Sequence, residues 1–424
     1  MNEEARILAK AAWRLIPFMG LLYVVNFLDR VNVGFAALTM NKDIALDAQA
    51  YGWGAGMFFI GYFFFEVPSN VVMGRVGARL WTFRIMLSWG LISMATAFVR
   101  GPNSFYALRF LLGAAEAGFF PGMMLYLTYW FPPATRAQFN SLFLVSIMVA
   151  NIFGSPISGF ILGMDGIRGL HGWQWLFILE GLPSCLLAFA VLAWLPDNPA
   201  RATWLSDGEK QVLAAAHARD EVARGGLRAG LLDPRVWILA LADFGIILAI
   251  YGVSLWLPQI VKAMGFSNVE TGFVVAMPYV AALLAMIAWA RSSDRRRERS
   301  FHIVIPALLA AASLFASALL GANLWSVVTL TLATVGFYAA LVVFWTLPTA
   351  FLGGTAAAGG IALINSIANL GGFLGPSLMG WLKERTGGYE AGMAVLGVGL
   401  IGTALIALTL SRQIYAARPA AVLD

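Results

Sequence analysis

Apolar positions along this 424-residue chain fall into long unbroken runs rather than strand-like alternation or the narrow stripe of a surface helix. A helix needs about 20 apolar residues to cross a bilayer. That length predicts twelve spans: 16–38, 51–73, 80–99, 104–130, 139–163, 173–195, 235–257, 271–291, 301–320, 324–348, 357–382 and 391–411. The expected fold is an all-α membrane protein.

The longest polar stretch, 196–234, divides the spans six and six. The expected organisation is an N-terminal six-helix bundle over 1–195, a linker over 196–234 and a C-terminal six-helix bundle over 235–424. Within the linker, Ser206-Asp-Gly-Glu209 has capping-box spacing, and Gly225-Gly226 supplies a stop. An amphipathic surface helix is predicted between them, with Leu205, Val212 and Leu213 turned to lipid or protein.

Composition agrees: 60% of residues are hydrophobic and 12% charged, too apolar for a soluble chain of this length. The single Cys excludes a disulfide framework and a cysteine metal cluster. The net charge of +6 could suggest a nucleic-acid partner, but its placement points to lipid. With the N-terminus inside, 20 of the 28 Lys and Arg fall on the cytoplasmic side and six outside. Both termini are therefore expected in the cytoplasm. No short apolar core with a small-residue cleavage site appears, so the first span is expected to remain.

The remaining two cations, Arg30 and Arg109, lie inside predicted spans, with five acids: Asp29, Glu66, Glu116, Glu180 and Asp243. Ionisable groups at that depth are costly and mark substrate or proton paths. His171, His217 and His302 sit in loops or at a helix end, so any proton must ride on carboxylates. Arg109 and Glu116 are seven residues apart, on one helix face about 10.5 Å apart in height. Gly113 and Ala117 near that stripe allow close helix approach. Either a structural ion network or a functional charge set fits this spacing. Arg30 presents a planar fork suited to a carboxylate. Arg109 is expected to be the internal partner of Asp29 or Glu116. Glu66 and Glu180 are expected as gate or structural ion pairs, Glu66 beside Arg75 or Arg136. Asp243 is left open between a gate pair and a surface position.

The two halves echo each other. Asn70-Val-Val-Met-Gly74-Arg75 after the second span parallels Ala290-Arg-Ser-Ser-Asp294-Arg295 after the eighth. Asn151-Ile-Phe-Gly-Ser-Pro156 loosely parallels Asn369-Leu-Gly-Gly-Phe-Leu-Gly-Pro376. Here the chain resembles the major facilitator superfamily, although its first signature loop has Asn70 and Gly74 where the family has Gly and Asp. More specific are Phe27-Leu-Asp-Arg-Val-Asn-Val-Gly-Phe-Ala36, Gly61-Tyr-Phe-Phe-Phe-Glu-Val-Pro-Ser-Asn70 and Arg109-Phe-Leu-Leu-Gly-Ala-Ala-Glu-Ala-Gly-Phe-Phe-Pro121. With Tyr126-Leu-Thr-Tyr-Trp-Phe-Pro132 and Ile364-Asn-Ser-Ile-Ala-Asn-Leu-Gly-Gly372, they are similar to the anion:cation symporters, in particular bacterial tartrate and hydroxyphenylacetate permeases.

The resemblance implies two pseudo-symmetric six-helix bundles and proton-coupled import of a small organic carboxylate by alternating access. An uncoupled facilitator or exchanger is the alternative. Arg30, before Val31-Asn32, matches the anion-binding position; Asp29 and Glu116 match proton carriers. Tyr62, Trp345 and Asn365 match cavity-lining positions. Asn26 and Phe27 lie near Arg30 by helical spacing; Asn369 is one turn from Asn365, and Tyr338 two turns from Trp345. These residues would suit a hydroxylated or an aromatic acid. The expected partners are the organic anion, protons and the bilayer, with no nucleic acid, no cofactor beyond the coupling proton, no metal and a monomeric state. No enzymatic nucleophile, metal motif or nucleotide loop is evident.

Overall fold

The computed structural model describes residues 3–220, 227–352 and 354–416, and these contain helices but no strand. The first half comprises α1 (Glu3–Asp43), α2 (Ala48–Val76), α3 (Ala78–Ala95), α4 (Pro102–Glu116), α5 (Phe119–Trp130), α6 (Pro133–Ile161) and α7 (Gly172–Trp194). The linker carries α8 (Asp207–Asp220) and α9 (Leu227–Leu232). The second half comprises α10 (Pro234–Ser254), α11 (Leu257–Lys262), α12 (Asn268–Arg296), α13 (Ser300–Leu320), α14 (Leu324–Phe344), α15 (Pro348–Phe351), α16 (Gly354–Thr386) and α17 (Glu390–Ala416).

Among the described residues, eleven stretches are long and apolar enough to cross a membrane; α3, which carries Arg79 and Arg84, is not among them. The predicted fourth and seventh spans are each interrupted. After Glu116 the chain turns through Gly118, whose φ of 87° is a left-handed conformation that suits glycine, before α5 begins. That break leaves Glu116 at the last position of α4.

α1 starts well before its predicted span. Its polar first turns bury Ile7, Ala11 and Leu15 in a cluster shared with Leu205 and Leu213. The predicted capping box forms: Ser206 N donates to Glu209 Oε2 at 2.8 Å, and Glu209 N donates to Ser206 Oγ at 3.2 Å. Lys10 also reaches Glu209, at 2.9 Å, and ties α1 to the linker. The backbone bond from Ser206 and the Lys10 contact hold the Glu209 carboxyl below its usual range. The stop at Gly225-Gly226 lies outside the described residues.

Within the first half, α1 packs on α6 and α7, α2 on α4, and α3 on α7; in the second, α10 packs on α16 and α17, and α13 on α14 and α17. The halves meet along α2–α16 and α6–α12. The end bearing α8 is here the linker face, and the end where α1 stops and α2 starts is the far face. Toward the far face the seam is closed backbone to backbone. Gly52 lies against the Pro376 carbonyl, Gly159 against that of Asn268, and Gly272 against that of Ser155. Any side chain at Gly52 would collide with α16. Tyr51 adds a hydroxyl bond of 2.7 Å to the Leu255 carbonyl.

Candidate functional site

The site is assembled at mid-depth where α1, α2, α4 and α10 converge. Arg30 is 7% exposed and Glu116 is fully buried. The Arg30 guanidinium donates to Glu116 through Nε at 3.0 Å and again through Nη2 to the same oxygen. Its third contact crosses the seam: Nη1 donates to the Tyr251 hydroxyl on α10 at 3.1 Å. Rings of Tyr62, Phe58 and Phe27 surround the cation, with centroids at 5.2, 5.1 and 5.9 Å. Such contacts favour a desolvated cation. The other Glu116 oxygen, Oε2, has no hydrogen-bond partner among the described residues.

Arg109 pairs with neither acid. It is fully buried, and Nη2 donates to the Ala55 carbonyl at 3.3 Å while Nε and Nη1 have no partner among the described residues. Its guanidinium lies 5.2 Å from the centroid of Phe58, the same ring that contacts Arg30. The expected partnership fails for a reason of height. One face of α4 carries both residues, but two helix turns separate them, and Arg30 from α1 meets Glu116 at its own level. The close approach predicted at Gly113 is present: its Cα abuts the Phe58 carbonyl, pressing α2 on α4.

Asp29 adjoins Arg30 in sequence but faces other helices. Trp89 Nε1 and Ser184 Oγ donate to its Oδ2 at 2.9 and 2.7 Å, and Ser93 Oγ to its Oδ1 at 2.6 Å. Asn32 Nδ2 lies 3.5 Å from Oδ1. Asp29 is thus embedded within α1, α3 and α7.

Glu66 forms no expected ion pair with Arg75, which is exposed; the Arg136 side chain lies outside the described residues. Instead Asn365 Nδ2 donates to Glu66 Oε1 at 2.7 Å and Ser366 Oγ to Oε2 at 3.2 Å. Asn365 therefore engages an acid of the opposite half. Glu180 also differs from expectation: Ser158 Oγ donates to it at 2.6 Å, and no cation pairs with it among the described residues. Asp243 is 1% exposed, with Oδ1 unpartnered among those residues, so the surface position is excluded.

The remaining predicted residues are more scattered. Asn26 is buried, with neither amide atom bonded among the described residues. Asn369 is also buried. Tyr338 packs near Tyr279 at 6.3 Å between ring centroids, and half-buried Trp345 meets Phe344 edge-on. Tyr251 and Phe58 were not anticipated. The sequence did not single out Tyr251, which shares its largely apolar helix with a second hydroxyl, Ser254.

The Major Facilitator Superfamily profile matches residues 19–376. The chain belongs to that superfamily, a family of membrane transporters. It is 47% identical over 414 residues to a protein of Agrobacterium vitis named "Putative tartrate transporter", covering 97% of this chain and 92% of that one. It is 44% identical to the "Quinolone resistance transporter" of Acinetobacter baumannii, covering 97% and 98%. It is 39% identical to the "Inner membrane transport protein RhmT" of Escherichia coli, covering 94% of each. Among solved structures, an inward-facing bacterial Spinster homologue superposes with a TM-score of 0.76 at 17% identity over 100% of both chains. The xylose transporter XylE of E. coli gives 0.72 at 14% identity, over 97% and 99%. Both share the fold.

Proposed function

We propose that the protein is a proton-coupled symporter that imports a small organic carboxylate across a bacterial inner membrane, with both termini cytoplasmic. The observation that carries this is the Arg30–Glu116 pair. While Glu116 is ionised it occupies the guanidinium that an incoming carboxylate needs. A proton on Glu116 removes that competitor and leaves Arg30 to the anion, with the Tyr251 hydroxyl beside it. Proton and anion thus favour each other's binding, and linkage makes the coupling reciprocal.

Arg109 adds a second cation near the same aromatic ring, so the set Asp29, Arg30, Arg109 and Glu116 is neutral with both acids ionised and +2 with both protonated. An inside-negative potential opposes one anionic charge by about 2.3 kcal/mol per 100 mV. More than one proton per monocarboxylate is then needed for voltage to assist. Asp29 is the second carrier. The aromatic walls and the Tyr251 and Tyr62 hydroxyls suit tartrate-like, sugar or aromatic acids. Loaded carriers rock the halves about the mid-depth site, closing the far face and opening the linker face.

Proteoliposome uptake of labelled carboxylates tests the proposal, with a pH gradient and a voltage imposed separately. Accumulation driven by an inward proton gradient is expected. Uptake indifferent to both gradients would instead indicate a facilitator, and dependence on internal anion an exchanger.

A further inference from the structure

Of the buried acids that the mechanism above leaves unused, Glu66, Glu180 and Asp243, Glu180 is the one set beside Asp29. It lies on α7, 4% exposed, with Oε1 bonded to Ser158 Oγ of α6 at 2.6 Å and Oε2 unpartnered among the described residues. An ionised carboxylate in such a setting lacks the counter-charge that burial demands, and a bound proton removes that cost. Its position is equally specific. Ser184, one turn further along α7, is the residue that donates to Asp29 at 2.7 Å. Asn32, less than a turn beyond Asp29 on α1, lies 3.5 Å from Asp29 and also neighbours the Glu180 carboxyl.

The rise of α7 places Glu180 about 6 Å nearer the far face than Ser184, and that of α1 places Asn32 about 4.5 Å nearer than Asp29. The order from the far face inward is therefore Ser158 with Glu180, then Asn32, then Asp29 in its cage of Trp89, Ser93 and Ser184. Asp29 on α1 is the charged group that faces Glu180; α6 presents Ser158, and α3 presents Trp89 and Ser93 to the same file.

We propose that Glu180 is a proton-relay residue that takes up a proton from the far-face side and passes it to Asp29. The exchange is balanced: the O–H bond of Glu180 breaks as one forms on Asp29, and Glu180 is then reprotonated from the far face. This rests on the proton-symport reading and adds a third acid to it. The relay lies wholly within the first half, apart from the seam where the anion binds, so loading Asp29 need not wait for that seam to open.

The test uses the full chain in proteoliposomes, comparing wild type, Glu180→Gln and Ser158→Ala. Glu180→Gln is expected to lower uptake driven by a pH gradient at least fivefold. Counterflow at equal pH, which requires no net proton transfer, should stay within twofold and so report an intact fold and anion site. Ser158→Ala, which retains the acid, should give a smaller loss. Infrared difference spectra on acidification should contain a protonated-carboxyl band that Glu180→Gln removes. Wild-type uptake that responds to the gradient, with Glu180→Gln equal to it and the band unchanged, overturns the relay and leaves symport standing. Wild-type uptake that ignores the gradient overturns both the symport reading and the relay built on it, while the infrared band still reports whether Glu180 holds a proton.

Discussion

The Arg30 guanidinium reaches across the seam between the halves to the Tyr251 hydroxyl, 3.1 Å away, while holding Glu116 of its own half. One cation therefore touches the acid that must be neutralised and the helix that must move. Anion binding, protonation and rearrangement of the halves meet at this group.

Replacing Arg30 with Ala should abolish carboxylate binding. Hydrogen bonds to charged groups contribute about 1.5–3 kcal/mol each, so affinity should fall roughly 100-fold or more. Ligand-induced thermal stabilisation of the purified protein is the readout. A variant that folds and retains its shift would remove Arg30 from the site.

Tyr251→Phe keeps the ring that packs on Phe59, 4.4 Å between centroids, and deletes only the hydroxyl. Affinity should fall about fivefold, corresponding to about 1 kcal/mol, with little change in melting temperature. Unchanged affinity would mean that the hydroxyl orients Arg30 only in the empty transporter.

Glu116→Gln should uncouple transport. Gradient-driven accumulation should be lost while some counterflow persists, because Arg30 no longer faces a competing charge. Normal accumulation in this variant would take Glu116 out of the proton path.

Glu66→Ala removes the acceptor of both Asn365 and Ser366, and so the polar latch across the seam. A cysteine placed on α16 toward the linker face should then react faster with a water-soluble thiol reagent, by several-fold. Equal labelling rates would show that the latch does not restrain that face.

The linker tether should be acid-labile. Ser206 and Lys10 hold Glu209 below its usual range, so their contribution is complete above the unfolded carboxyl value near pH 4. It is lost as pH falls through the lower folded value. Proteolysis within 196–234 should accelerate below about pH 4 in wild type, and in Lys10→Ala at neutral pH as well.

The spans were legible because a bilayer requires long apolar runs, whatever packs against them. The first turns of α1 were not, because Glu3 to Leu15 carries five charges and becomes a helix whose apolar side shares a core cluster with Leu205 and Leu213, some 200 residues away. The break after Glu116 was written in Gly118 and Pro121 but hidden under continuous hydropathy. At the site, residue type disclosed which groups carry charge, and spacing disclosed which share a face. Partnership needed the third dimension: the same α4 face holds Arg109 and Glu116, yet α1 delivers Arg30 to Glu116 and leaves Arg109 on the Ala55 carbonyl. Tyr251 was invisible for the same cause, since nothing in an apolar helix announces which residue meets the opposite half.

The far-face seam, where Gly52 meets the Pro376 backbone, has a mechanical consequence. Dispersion contacts between touching backbones lose about a quarter to a half of their strength over a gap of roughly 0.5–1 Å. A seam built this way does not stretch in proportion to load, as a spring or a long flexible ion pair would. Its resistance is greatest at contact and falls steeply over the first ångström or so of parting, which makes the far face closer to a threshold element than a graded one.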